Sequence, residues 1–138
     1  MLEVEIRPAL PDDLNLIRKS WMRSYRNAEA MEWVDAVTYD KRMPERIAHI
    51  LSHPNTRTFM ASPPGDTITA FGFIVAGPTC LHYVWTKDGW RRNGIARRLA
   101  EHAFPQGIAT VSHVTRMGHE IWQAKTPTTL YDPFGASQ

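Results

Sequence analysis

Only one cysteine, Cys80, occurs in the 138 residues. That excludes an intramolecular disulfide and a cysteine-based zinc knuckle. A lone thiol fits a reducing compartment, so a cytoplasmic location is expected. No apolar run approaches the length of a membrane span. The opening Met1-Leu2-Glu3-Val4-Glu5 lacks the basic region and apolar core of a signal peptide. Charge of neither sign dominates: 16 Lys and Arg stand against 14 Asp and Glu, a net +2. There is thus no global attraction for a polyanion or a membrane surface. No Gly-Lys-Ser/Thr occurs, which argues against the phosphate loop of nucleotide hydrolases. Internal repeats and low-complexity stretches are missing too. So is any acidic residue between Ala70 and Lys87.

What is present suits one domain with a real core. The apolar fraction is 43% and the charged fraction 22%. Leu2, Val4 and Ile6 alternate with Glu3, Glu5 and Arg7, which predicts a strand with one buried face. Asp12 or Asp13 then caps a helix through Leu14, Ile17 and Trp21. Ser24 to Asp35 reads as a loop or short helix carrying Tyr25, Arg26 and Trp33. Tyr39 to Ser52 reads as a second helix with Pro44 in its first turn. Strands are predicted at Thr56 to Ala61, Thr67 to Ala76 and Cys80 to Thr86, the first two joined by a turn at Pro63-Pro64-Gly65-Asp66. The middle strand is apolar at both parities, as in a sheet covered on both faces. A helix from Gly94 to Ala103 follows, with Ile95, Leu99 and Ala103 on one face. A strand from Ile108 to Val114 comes next and is expected to run parallel to its predecessor. Met117 to Gln123 reads as one helical stretch, and Pro127 and Pro133 discourage regular structure near the end. The reading is one α/β domain over residues 1–138, a mostly antiparallel mixed sheet with helices on both faces.

The most informative segment is Thr86-Lys87-Asp88-Gly89-Trp90-Arg91-Arg92-Asn93-Gly94-Ile95-Ala96. It joins a strand to a helix and is locally basic, with five basic residues and one acid between Lys87 and Arg98. The first N–H groups of a helix lack partners and carry partial positive charge. A phosphate docks there without dedicated side chains. Gly94, having no Cβ, lets the backbone come close to a ligand. A dinucleotide fingerprint does not fit, because Gly94-Ile95-Ala96 lacks the remaining glycine and the strand order is wrong.

This segment and the order of elements resemble the GNAT (Gcn5-related) N-acetyltransferases. Arg91, Gly94 and Ala96 fill the fixed positions of that family's Arg/Gln-x-x-Gly-x-Gly/Ala signature. Trp90 before the arginine, the stripe Ile95 and Leu99, and the opening Ile6-Arg7-Pro8-Ala9 with Asp12-Asp13-Leu14 also match. The likeness covers about residues 4–114 in architecture and 84–103 in motif detail. It implies acetyl transfer from acetyl-coenzyme A to an amine by direct attack in a ternary complex, with no metal. The N–H groups from about Arg92 to Arg97, Asn93, Gly94, Ile95 and Ala96 among them, would hold the pyrophosphate. Arg91, Arg92 and Arg97 would add charge. Val84, Trp85 and Thr86 would pair with the pantetheine arm and offer an oxyanion N–H.

The chain also departs from the pattern. Many members carry a glutamate on the fourth strand, and that position falls near Cys80. His82, expected on one strand face with Cys80, Val84 and Thr86, is the candidate base. Leu130-Tyr131-Asp132-Pro133-Phe134-Gly135 loosely resembles the family's segment bearing a proton-donating tyrosine, so Tyr131 is the candidate acid. A standard member continues for two further strands, whereas only about two dozen residues follow the fifth strand here. A short member is expected, or a homodimer that completes the acceptor site. Trp21, Tyr25 and Arg26 would shape the acceptor pocket. With Arg23, aromatics interleaved with arginines also suit nucleic acid, so a nucleic-acid-modifying acyltransferase is one alternative. A non-catalytic coenzyme A sensor or interaction module is the other. His49 and His53 have metal-ligand spacing but lack a third ligand. His113, His119 and Glu120 form a further polar cluster.

Overall fold

In the computed structural model, residues 2–113 and 130–133 are described. The expected helix Met117 to Gln123, with His119 and Glu120, lies outside them, as does the end of the expected strand Ile108 to Val114. The described strands are β1 (Glu5–Pro8), β2 (Arg57–Ser62), β3 (Gly72–Ala76), β4 (Cys80–Thr86), β5 (Thr110–Val111) and β6 (Leu130–Tyr131). The helices are α1 (Leu14–Tyr25), α2 (Ala36–Ser52) and α3 (Ile95–Ala103). The sheet order is β1-β2-β3-β4-β5-β6. The first four strands run antiparallel, and β4, β5 and β6 run parallel.

Both faces of the sheet are covered, because β3 is apolar at both parities. On one face Met60, Phe73, Val75 and Tyr83 pack against Ile17, Trp21 and Tyr25 of α1 and Tyr39, Met43, Ile47 and Ile50 of α2. On the other face Ala61, Ile74, Ala76 and Leu81 pack against Ile95, Leu99, Ala100 and Ala103 of α3. These helical positions recur at spacings of three and four, which is why each helix buries one stripe. The Tyr39 hydroxyl donates to the Met22 carbonyl at 2.6 Å and ties α2 to α1.

Four local expectations are corrected. Asp13 does not bond the start of α1; its carboxylate accepts from the Leu10 N–H and from Arg7, both at 2.7 Å, and fastens β1 to the turn before the helix. Helix α2 begins at Ala36 rather than Tyr39, because Asp35 caps it by accepting from the Thr38 N–H at 2.8 Å. Pro44 therefore sits in the helix interior, where it has no N–H to give the Asp40 carbonyl. Residues 67–71 do not extend β3, since the Asp66 carboxylate accepts from the N–H groups of Ile68 and Thr69 and bends the chain. A sixth strand forms despite Pro133: Leu130 donates to Ala109 O at 3.0 Å and Asp132 to Val111 O at 2.9 Å.

Candidate functional site

The site forms where β4 leaves the sheet and α3 begins. Gly94 is the N-cap of α3, left-handed at φ 73 and ψ 16, and no side chain caps the helix. The first helical bond near it is Arg98 N–H to Gly94 O at 3.0 Å. The N–H groups just before it are therefore free of intrahelical partners. Arg92 is also left-handed at φ 68, the one described non-glycine residue with positive φ. Such strain in a bulky residue persists only where the surroundings impose it. Left-handed turn residues swing successive N–H groups to one side and make an anion-binding concavity.

Side chains hold this turn in place. The Asn93 amide donates to the carbonyls of Trp90 at 3.0 Å and Arg91 at 3.2 Å, so its side chain shapes the loop. The Trp90 ring packs on Phe71 at 4.6 Å between centroids and anchors the loop to the sheet. Gly72 seats the helix start: a Cβ there would collide with Trp85 O and stand 3.3 Å from Ile95 Cγ2. An isolated glycine inside a strand signals such a close approach, and the sequence reading missed it. Arg91 is ion-paired with Asp88 at 3.1 Å, both exposed. Arg92 and Arg97 are exposed and form no ion pair among the described residues.

Strand β4 supplies the second half. Val75 lies opposite Tyr83 while Ala76 lies opposite Leu81, so His82 is an extra residue, a β-bulge. The Lys87 N–H donates to Phe71 O at 2.8 Å. Antiparallel alternation then turns the amides of Trp85 and Tyr83 toward β3, and those of Val84 and Thr86 to the opposite side. On that side β5 pairs with Cys80 and Leu81, and Ser112 N–H donates to Leu81 O at 3.0 Å. No described residue pairs with β4 beyond that rung. The edge groups of Val84 and Thr86 therefore face a fork between the strands. Trp85 contributes otherwise than expected: its amide is used by β3, and its ring stacks on Phe73 at 5.4 Å.

The bulge also corrects the placement of His82. It breaks the alternation that would have put His82 on one face with Val84 and Thr86, while Cys80 Sγ still lies 3.8 Å from His82 Nδ1. His82 is only 5% exposed, and its Nδ1 lies 2.9 Å from Ser112 Oγ. Burial, with Arg46 and His53 nearby, pushes its pKa down to about 4, so the ring is neutral near pH 7. Ser112 Oγ also lies 2.8 Å from His113 Nδ1, and Arg46 Nε donates to His113 Nε2 at 3.2 Å. His113 is buried, and burial with Arg46 lowers its pKa to about 3.

The acceptor-pocket expectations are corrected in part. Trp21 and Tyr25 are buried and cannot stack on bases or line an exposed pocket. Trp21 stacks on Tyr83 at 5.1 Å and meets His113 edge-on at 5.3 Å. Among the described residues its indole N–H is buried without a hydrogen-bond partner. Tyr25 meets Tyr83 edge-on at 5.8 Å, and burial pushes its hydroxyl pKa well above the ordinary value. Arg26 lies over the Tyr39 ring at 5.0 Å and donates to Met31 O at 3.4 Å, which stiffens the α1–α2 connection. With both aromatics inside, neither Trp21 nor Tyr25 offers a ring face for stacking on a base. Tyr131 is 47% exposed on β6, two strands from β4. Among the described residues no group of three or more His, Cys, Asp or Glu side chains is arranged to hold a metal, and no helix is long and apolar enough to cross a membrane.

No protein-family model matches the sequence, and no curated protein matches it. Solved structures do resemble the fold. A GCN5-related N-acetyltransferase from Ralstonia eutropha JMP134 is similar at TM-score 0.66 and 18% identity, over 90% of this chain and 92% of that one. An acetyltransferase from Thermus thermophilus is similar at TM-score 0.58 and 15% identity, over 91% and 86% of the two chains. PaiA N-acetyltransferase from Thermoplasma acidophilum, solved in complex with coenzyme A, is similar at TM-score 0.50 and 18% identity, over 75% and 71%. The chain has the fold of the GNAT acetyltransferases.

Proposed function

We propose that this chain is an acetyl-coenzyme A-dependent N-acetyltransferase that acts on a primary amine by direct attack. The observation that carries this reading is the uncapped, left-handed start of α3 beside the stretch of β4 whose outer edge no described residue pairs. The N–H groups from Arg92 to Arg97 receive the pyrophosphate, and the Arg91, Arg92 and Arg97 side chains add charge. The pantetheine arm pairs with the edge groups of Val84 and Thr86, which carries the thioester to the fork. The amine nitrogen bonds to the acyl carbon, the carbonyl oxygen takes up negative charge, and the Val84 N–H donates to it. The carbon–sulfur bond then breaks and the thiolate leaves. His82 Nδ1 is engaged with Ser112 Oγ at 2.9 Å inside the fold, and the amine proton leaves through water. Tyr131 is the candidate that returns a proton to the thiolate.

A second reading is a coenzyme A-binding module without catalysis. It is favoured by the lack of an acid between Ala70 and Lys87 and by the burial of His82 against Ser112. Thiol release from acetyl-coenzyme A, measured against peptides, polyamines and aminoglycosides, separates the two. Turnover with any of these amines supports the transferase. Binding across the whole panel without turnover selects the second reading, and neither binding nor turnover contradicts both.

A further inference from the structure

Four polar side chains from three elements meet at the root of the fork, and the proposed chemistry uses none of them directly. Arg46 comes from α2, Ser112 and His113 follow β5, and His82 is the bulge residue of β4. Apart from Arg46, which is half-buried, all are buried. Their donor order follows from chemistry. A guanidinium only donates, so His113 Nε2 is its acceptor and carries no proton. The neutral His113 ring then carries its proton on Nδ1 and donates to Ser112 Oγ. The serine hydroxyl has one proton to give, and the direction that continues the chain gives it to His82 Nδ1 at 2.9 Å, a nitrogen that also has Cys80 Sγ at 3.8 Å. In that direction His82 is the Nε2–H tautomer. The chain Arg46→His113→Ser112→His82 runs in one direction with each middle member both accepting and donating. Arg46 also donates to Pro133 O beyond β6, so α2 is fastened to the strands on the far side of the fork.

The place of this chain gives it a consequence. Among the described residues the last rung between β4 and β5 is Ser112 N–H to Leu81 O, and the next side-chain link is Ser112 Oγ to His82. The fork therefore opens at a point fixed by backbone and side chain of one residue. The bulge at His82 is also what hands the open side of β4 to Val84; without the extra residue Leu81, Tyr83 and Trp85 would share that side. Gly77 makes room for the bulge ring, since a Cβ there would stand 3.1 Å from His82 Nε2.

We propose that Arg46, His113, Ser112 and His82 are positioning residues: their directed chain pins the β4 bulge and thereby aims the Val84 N–H into the fork. The proposal rests on the reading of Val84 as the oxyanion donor, and the test separates the two. Imidazole ¹H–¹⁵N long-range correlation on the full chain near neutral pH should show His113 protonated on Nδ1 and His82 on Nε2. In Ser112→Ala the His82 signature and the Val84 amide shift should both change, and Val84 amide exchange should quicken. Ser112→Thr, which keeps the hydroxyl, should restore them. With an active amine, Ser112→Ala should lower kcat by about tenfold to a hundredfold, as for a misaimed group, with affinity for coenzyme A unchanged. The opposite tautomers, or a Val84 amide indifferent to Ser112→Ala, would overturn the proposal. A Val84 signal changed in Ser112→Ala and restored in Ser112→Thr, together with unaltered kcat in Ser112→Ala, would leave the clasp standing and remove Val84 from the chemistry.

Discussion

Helices α2 and α3 start in opposite ways. Asp35 closes α2: its carboxylate takes the Thr38 N–H at 2.8 Å and the Thr38 hydroxyl at 2.9 Å. α3 starts at a glycine in a left-handed conformation with no capping side chain, behind a strained Arg92 and among exposed arginines. The first arrangement satisfies a helix end from within the chain, which is what stability asks. The second forgoes that gain and leaves the N–H groups and the positive end of the dipole without a side-chain cap, as the proposed phosphate site requires. Loop geometry supports this difference, since Asn93 and Trp90 are both spent on holding the open end in shape.

The comparison can be broken most severely at Gly94. Nothing lies within 4 Å of where its Cβ would stand, so the protein itself has room for a side chain. Gly94→Trp places bulk over the N–H groups and forces a bulky residue to positive φ. Isothermal titration should show affinity for coenzyme A falling by about a hundredfold or more, close to 3 kcal/mol. Gly94→Asn and Gly94→Asp come next. Both residue types tolerate the left-handed region and differ little in shape. The aspartate supplies the missing cap and a negative charge where phosphate should sit, so it should bind coenzyme A about tenfold more weakly than the asparagine variant. Equal affinities would mean that the open helix end is not the phosphate site.

At the other helix, Asp35→Ala should lower the melting temperature by a few degrees and leave coenzyme A affinity unchanged. Acid gives a smaller and graded test. His82 and His113 are held near about 4 and about 3 in the fold, against an ordinary 6.5. As pH falls below 6.5 the unfolded chain takes up protons that the fold refuses, so stability should decline steadily towards pH 4. Hydrogen bonds from Thr38 also hold the Asp35 carboxyl below its ordinary value, so this cap adds a further loss once the pH falls through that lowered value. Denaturant midpoints measured across that range should fall; a flat profile would mean the two rings are not held neutral.

The open helix start was legible in the sequence because the residues that make it are local: Arg91 to Ala96 lie side by side in the chain. The order of strands and helices was legible from periodicity, and β3 showed its double burial in one apolar run. The bulge was not, because register belongs to the pairing of Val75 and Ala76 with β4 and not to β4 alone. The clasp was not, because Ser112 lies 30 residues from His82. Trp21 and Tyr25 look like a surface when read with the neighbouring arginines, yet they continue the inward stripe of Leu14 and Ile17, and that spacing was the better guide. The start of α2 was also readable: Asp35 followed by Thr38 is a capping pattern, overlooked because Tyr39 begins the more apolar stretch.

The most direct test is a titration of the ¹⁵N-labelled full chain with coenzyme A, followed by backbone amide shifts. The largest changes should fall on Asn93 to Arg97 and on Val84 and Thr86, while Ala36 to Thr38 at the capped start of α2 stay still. Shifts spread over α2, or none at the start of α3, would contradict the account.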